Sequence, residues 1–314
     1  MEPSFAPPRP IATRVHAEMP AELRRPVVTD WSRANKRGLP VDCFLEGPCF
    51  DRQGNLHVTD IPHGRVFRIS PEGRWTQVAE YDGEPNGLAP HPDGARLFVA
   101  DYKQGILSLD LASGRVEPVL ARRNSERFKG PNDLVFARNG ELYFTDQGQT
   151  GLHDPTGRVY RLRPDGRLDC LLANGPSPNG LALSPDEDAL FVAMTRDSAV
   201  WRLPLLPDGS TAKVGRFASF HGTSGPDGLA VDAAGNLLVA HASLGSVFVL
   251  SPQGEPIARI RSCRGATTTN LALGCAEGGT VFVTESETGS VLAAEWASGE
   301  QKPHTAASGA GERR

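Results

Sequence analysis

Short runs in which apolar and polar residues alternate, or in which apolar residues stand together, recur along the whole chain. The stretches "LHVTD", "RVFRIS" and "TQVAEY" alternate with "RQGN", "PHG" and "PEG", whose glycines suit tight turns. The same scheme returns as "ELYFTD", "GRVYRLRPDGR" and "LDCLLA", and again as "NLLVAH", "SVFVLSPQGE" and "IARIRS". Helical periodicity is nearly absent. Its one candidate, "EMPAELRR", is interrupted by Pro20, which lacks the backbone donor a helix interior needs. The pattern predicts an all-β chain, and the 34 glycines and 26 prolines match its many turns. An α/β barrel of this length would require about eight strong helices.

The runs are organised into repeats. "EPNGLAPHPDGARLFVA", "GPNDLVFARNGELYFTD", "SPNGLALSPDEDALFVA" and "GPDGLAVDAAGNLLVAH" say nearly the same thing, with weaker copies in "LEGPCFDRQGNLHVTD" and "TTNLALGCAEGGTVFVTE". Aligned on the residue before the small turn, the copies place Glu46, Asn86, Asn132, Asn179, Asp227 and Asn270 in one register, at separations of 40, 46, 47, 48 and 43. Units of roughly 40 to 50 residues are the size of four-stranded propeller blades. The expected fold is therefore a six-bladed β-propeller with a metal site in its central channel. Residues 25–296 form its single domain, 1–24 an N-terminal extension that is partly mobile, and 297–314 a disordered tail. Blade six ends at "SVLAAEW" after three strands. Because a closed ring leaves no unpaired edge, its fourth strand is expected from Arg25–Trp31, just ahead of blade one.

Composition narrows the function. A net charge of −4 offers no basic stripe for nucleic acid, and the Arg-rich "ARRNSERFK" reads as a solvated loop. No apolar run reaches the roughly 20 residues that span a bilayer, and the first thirty residues lack the apolar core of a signal peptide, so a cytoplasmic protein without membrane partners is expected. Cys43, Cys49, Cys170, Cys263 and Cys275 show neither disulfide nor zinc spacing and read as small buried hydrophobes. Oligomeric state leaves no mark on the sequence.

In a propeller the equivalent positions of the innermost strands ring the channel. Here those six positions carry one Glu, four Asn and one Asp. Buried polar groups without partners cost about 1–3 kcal/mol each, so the ring calls for something to satisfy it. Carboxylate and amide oxygens without Cys or His suit one hard divalent cation: Ca2+ first, Mg2+ or Mn2+ next, and Zn2+ last.

At this point "LEGPCFDRQGNLHVTDIPHGRVFRI", "FKGPNDLVFARNGELYFTD", "SPNGLALSPDEDALFVA" and "GPDGLAVDAAGNLLVA" resemble the SMP-30/gluconolactonase/luciferin-regenerating-enzyme family, also called regucalcin-like, over about residues 40 to 296. The resemblance implies a six-bladed propeller with one divalent cation in the channel, hydrolysing lactones, with some members cleaving phosphoester-type bonds. It carries the metal ligands onto Glu46, Asn132, Asn179 and Asp227, and the general base onto Asp227. Many sugar-lactone members have an Arg or a second Asn shortly before the blade-three Asn, where this chain has Lys129 and Gly130. Lys129 and Gln147, the latter at the start of a longer loop, are therefore carried as substrate-contact candidates with Asn86 and Asn270. His221 and His241 flank blade five as possible proton carriers, with a surface or supporting role the blander alternative. No Gly-x-Ser-x-Gly nucleophile signature competes. The expected partner is a small-molecule lactone. A phosphotriesterase-like hydrolase and a non-enzymatic binding scaffold are the other readings of the same ring.

Overall fold

The computed structural model describes residues 7–274 and 279–296. Six antiparallel sheets of four strands follow one another along the chain, and the fifth of them carries one additional strand. Their innermost strands are Leu45–Phe50, Pro85–Pro90, Pro131–Phe136, Pro178–Leu183, Pro226–Val231 and Thr268–Leu273. Each packs against the innermost strand of the next blade, and the last packs against the first. The ring is closed and six-bladed, as the repeat register predicts.

The core is divided among the six gaps between blades. One apolar cluster joins blades four and five through Ala182, Phe191, Val200, Leu229, Leu237 and Val239. Another joins blades five and six through Leu238, Val249, Ile260, Val283 and Leu292. A strand covered on both faces needs apolar residues on both, which is why Ala189–Met194 reads as a continuous apolar run and is buried throughout. Outer strands such as Val116–Leu120 are largely exposed, with Glu117 and the hydrophobic Val119 both open to solvent.

Ring closure differs from the expectation. The fourth strand of blade six is Arg14–Glu18, antiparallel to Ser290–Glu295, and not Arg25–Trp31. Before it, Arg9–Ala12 runs parallel to Pro256–Arg261 on the outer edge of blade five. The closing strand thus lies within the segment expected to be an extension. Within Arg25–Trp31, Val27 makes an isolated antiparallel bridge to Val41, and Val27 and Val28 are exposed. That segment instead leads into a short helix, Asp30–Asn35, started by a reciprocal cap between Thr29 and Ser32. The expected tail at 297–314, and Cys275, lie outside the described residues. Cys43 and Cys49 are buried as expected, Cys170 is half-buried, and Cys263 is exposed. "ARRNSERFK" forms a small exposed ribbon pairing Arg122–Arg123 with Glu126–Arg127.

The recurring "TD" and "TE" at the ends of second strands have two structural tasks. Thr59 and Thr145 donate hydrogen bonds of 2.8 Å to the backbone carbonyls of Asn86 and Asn179 in the following blades, fixing the neighbouring ring position. The acids hold loop backbone: Asp60 accepts from Phe44 N, Asp101 from Lys103 N, and Asp146 from Gly130 N.

Candidate active site

The six register-aligned residues open the innermost strands at one end of the channel. Glu46, Asn132, Asn179, Asp227 and Asn270 are buried there, and Asn86 is half-buried. Asn270 Nδ2 donates to Glu46 Oε2 at 3.0 Å and lies 3.5 Å from Asp133 Oδ2, while its Oδ1 accepts from Leu271 N at 2.8 Å. Asn270 therefore offers the centre a donor and holds carboxylates in place. Glu46 Oε2 also accepts from Gly47 N at 2.7 Å. Asn132 Nδ2 donates to Gln147 Oε1, and Gln147 Nε2 donates to Ser177 Oγ, both at 2.9 Å. Gln147 is thus tied directly to the ring. Lys129 turns toward its own blade's loop, where Nζ bonds Thr156 Oγ1 and stands 4.0 Å from Asp154. Asn86 is anchored through its backbone carbonyl by Thr59.

Asp133 is a site residue that register alone does not pick out. It occupies the position where "PNG" and "PDG" have glycine, and it is a third buried carboxylate at the same end of the channel. The signal is present as "PND". Only the packing explains it: Asp133 lies against Gly87 of blade two, where any Cβ would overlap its carboxylate. A side chain is admitted at blade three because blade two has none.

Three carboxylates in a dry channel resist ionising together. Burial pushes Glu46 up to about 7, partly offset by hydrogen bonds from Gly47 and Asn270. Burial, with the charge of Glu46, pushes Asp133 up to about 8. Asp227 is raised well above the usual carboxylate range by burial and by Glu46 and Asp133, against a smaller opposing effect of Asn179 and Arg196. Among the described residues, no three His, Cys, Asp or Glu side chains converge as a metal cage. The donor set fits a hard cation held instead by two carboxylates, Glu46 and Asp227, and the amide oxygens of Asn132 and Asn179. A cation's charge would relieve the repulsion that the raised carboxyls record.

A stability signature follows. In the cation-free protein Glu46 keeps its proton at pH values where the unfolded chain has lost it. Its contribution is then greatest below the ordinary carboxylate pKa and is lost as pH rises through about 7. Melting in the presence of a chelator between pH 5 and 8 should show wild type losing ground to Glu46→Gln, a permanently neutral mimic. A constant difference between the two would contradict the shift.

His241 is fully buried beside Phe220 and Phe248, and neither ring nitrogen has a hydrogen-bond partner among the described residues. Burial lowers its pKa and keeps it neutral.

A closed six-bladed propeller with one acid- and amide-lined end defines a class of channel-site proteins. Within that class the match is specific: the SMP-30/Gluconolactonase/LRE-like region matches residues 44–287, and the chain belongs to that family. It is 31% identical over 275 residues to a gluconolactonase of Zymomonas mobilis, covering 77% of this chain and 76% of that protein. It is 32% identical over 254 residues to lactonase drp35 of Staphylococcus aureus, covering 76% and 75%. Among solved structures, a gluconolactonase of Xanthomonas campestris superposes with a TM-score of 0.72 at 24% identity, covering 94% of this chain and 99% of that one. A calcium-binding regucalcin of Agrobacterium tumefaciens gives 0.73 at 23% identity, covering 92% and 95%. Among the described residues no helix is long and apolar enough to cross a membrane.

Proposed function

We propose that this protein is a metal-dependent hydrolase that opens a small, sugar-type lactone with water. The observation that carries the reading is the burial of Glu46 and Asp227 beside Asn132 and Asn179 at one end of the channel, in a chain whose relatives are named gluconolactonase and lactonase. Glu46, Asn132, Asn179 and Asp227 would hold the cation, with Ca2+ the ion best matched to their oxygens. When bound, such an ion supplies a Lewis acid for the lactone carbonyl and lowers the pKa of water. Asp227 accepts the proton of the attacking water, as the buried carboxylate of blade five at this end of the channel. Asn270 holds Glu46 in place. Asn86, half-buried in the same register, is assigned as a substrate contact.

The test is turnover of a lactone panel by the full chain before chelation, after EDTA, and after Ca2+ is restored. Activity should disappear with EDTA and return with Ca2+. Full activity after verified removal of the ion would overturn the metal role. No activity on any lactone with the ion bound would favour a binding scaffold.

A further inference from the structure

One cavity beside the channel end is chemically unlike the acidic ring. It encloses about 600 Å3, and its lining includes Asn35, Gln147, Gln149, His153, Ser177 and Arg196 but no carboxylate. It joins the ring through Gln147, which bonds both Asn132 and Ser177. Its walls come from the helix 30–35, from the loop 147–156 and from the turn at Thr195–Asp197. Loop 147–156 is long where other blades use 61–64 or 102–104.

Arg196 is positioned but unpaired. Its backbone N–H bonds Pro176 O, and the preceding Thr195 Oγ1 donates to Pro226 O at 2.8 Å, one residue before Asp227. The adjacent acid, Asp197, is already committed to Trp201 Nε1 and to Arg216 Nη2, each at 2.8 Å. Among the described residues Arg196 forms no ion pair. Lys36, at the end of the helix, lines a different cavity together with Asp42 and Glu287. Its Nζ stands 4.6 Å from the Phe44 ring centre and 5.8 Å from that of Trp31, and it too forms no ion pair among the described residues.

A guanidinium in a carboxylate-free cavity offers fixed, forked donors suited to a planar anion. We infer that the substrate carries a carboxylate, bound by Arg196 in this cavity, while the lactone ring lies over Asp227. The inference rests on the lactone-hydrolase reading and narrows its substrate to acidic lactones. Neutral ones would leave Arg196 unmatched.

The γ-lactones of gluconic and glucaric acid share a carbon skeleton and differ at the terminal carboxylate. With the Ca2+-loaded full chain, wild type should open the glucaric lactone with the higher kcat/KM. In Arg196→Gln the acid-to-neutral ratio of kcat/KM should fall about 10- to 100-fold, mainly through KM, the size of one lost charge-assisted bond. Arg196→Lys should recover part of it. Preference of wild type for the neutral lactone, or an equal loss on both substrates in Arg196→Gln, would overturn the inference. If neither lactone is opened, calorimetric titration with glucarate decides the anion site separately. Binding lost in Arg196→Gln would support it, whereas no binding, or binding unchanged by the substitution, would refute it. Arg196 is exposed, so circular dichroism should show both variants folded.

Discussion

Replacing Asp227 with asparagine should lower kcat for lactone opening by about 10²- to 10⁴-fold, the usual contribution of a positioned general base. The substitution keeps an oxygen at the same place on the strand Pro226–Val231 and removes the charge and the basicity. Asp227 is buried, and in the cation-free protein its pKa is raised by burial and by Glu46 and Asp133. The amide put in its place would accept hydrogen bonds but take no proton at working pH. The measurement is steady-state kinetics with saturating Ca2+, alongside Ca2+ titration calorimetry. Weakened ion binding should accompany the loss, because Asp227 supplies one of two carboxylates in the proposed ligand set. If saturating Ca2+ restores full kcat, Asp227 is a ligand without being the base.

The largest effect on folding is expected at a different acid. Asp60→Ala should destabilise the protein by about 3–5 kcal/mol, because it leaves a buried guanidinium without its counter-charge. Arg65 and Asp60 are 1% and 0% exposed, and Arg65 Nε meets Asp60 Oδ2 at 2.9 Å. Arg65 Nη1 also donates to Leu23 O at 2.7 Å, tying the segment before the helix to blade one. Asp60 Oδ1 accepts from Phe44 N at 2.8 Å, two residues ahead of Glu46. The loss would therefore loosen the entry to the first ring position as well as the blade. For a chain of this size the expected fall in melting temperature is roughly 5–8 °C by calorimetry. Asp60→Asn, which retains an acceptor for Phe44 N, should recover only part of it. A change below about 2 °C in Asp60→Ala would show that the pair is solvated in solution.

These two acids show where sequence reading succeeds and where it stops. Asp227 is identifiable from its register because its place in the repeat is shared with Asn86, Asn132 and Asn179. Asp60 belongs to an equally visible repeat, "HVTD" with "YFTD" and "FVTE", yet its task depends on Arg65 and Phe44, whose approach no periodicity encodes. Asp133 carries a legible mark as the one "PND" among "PNG" motifs, but its meaning lies in Gly87, Asn270 and Glu46 on three other blades.

The sequence by itself determined the strands, their grouping into six units, the shared register of the ring and the absence of a nucleophile motif. Those properties are local or repeated, so alternation, turn residues and spacing express them directly. Tertiary structure alone decided that Arg14–Glu18 closes the ring, that the helix 30–35 brings Asn35 to the cavity beside Gln147, and that Arg196 faces a carboxylate-free cavity. Each joins residues far apart in the chain. Such contacts are selected by packing, charge and loop closure in the folded state, and the residues that make them carry no local pattern.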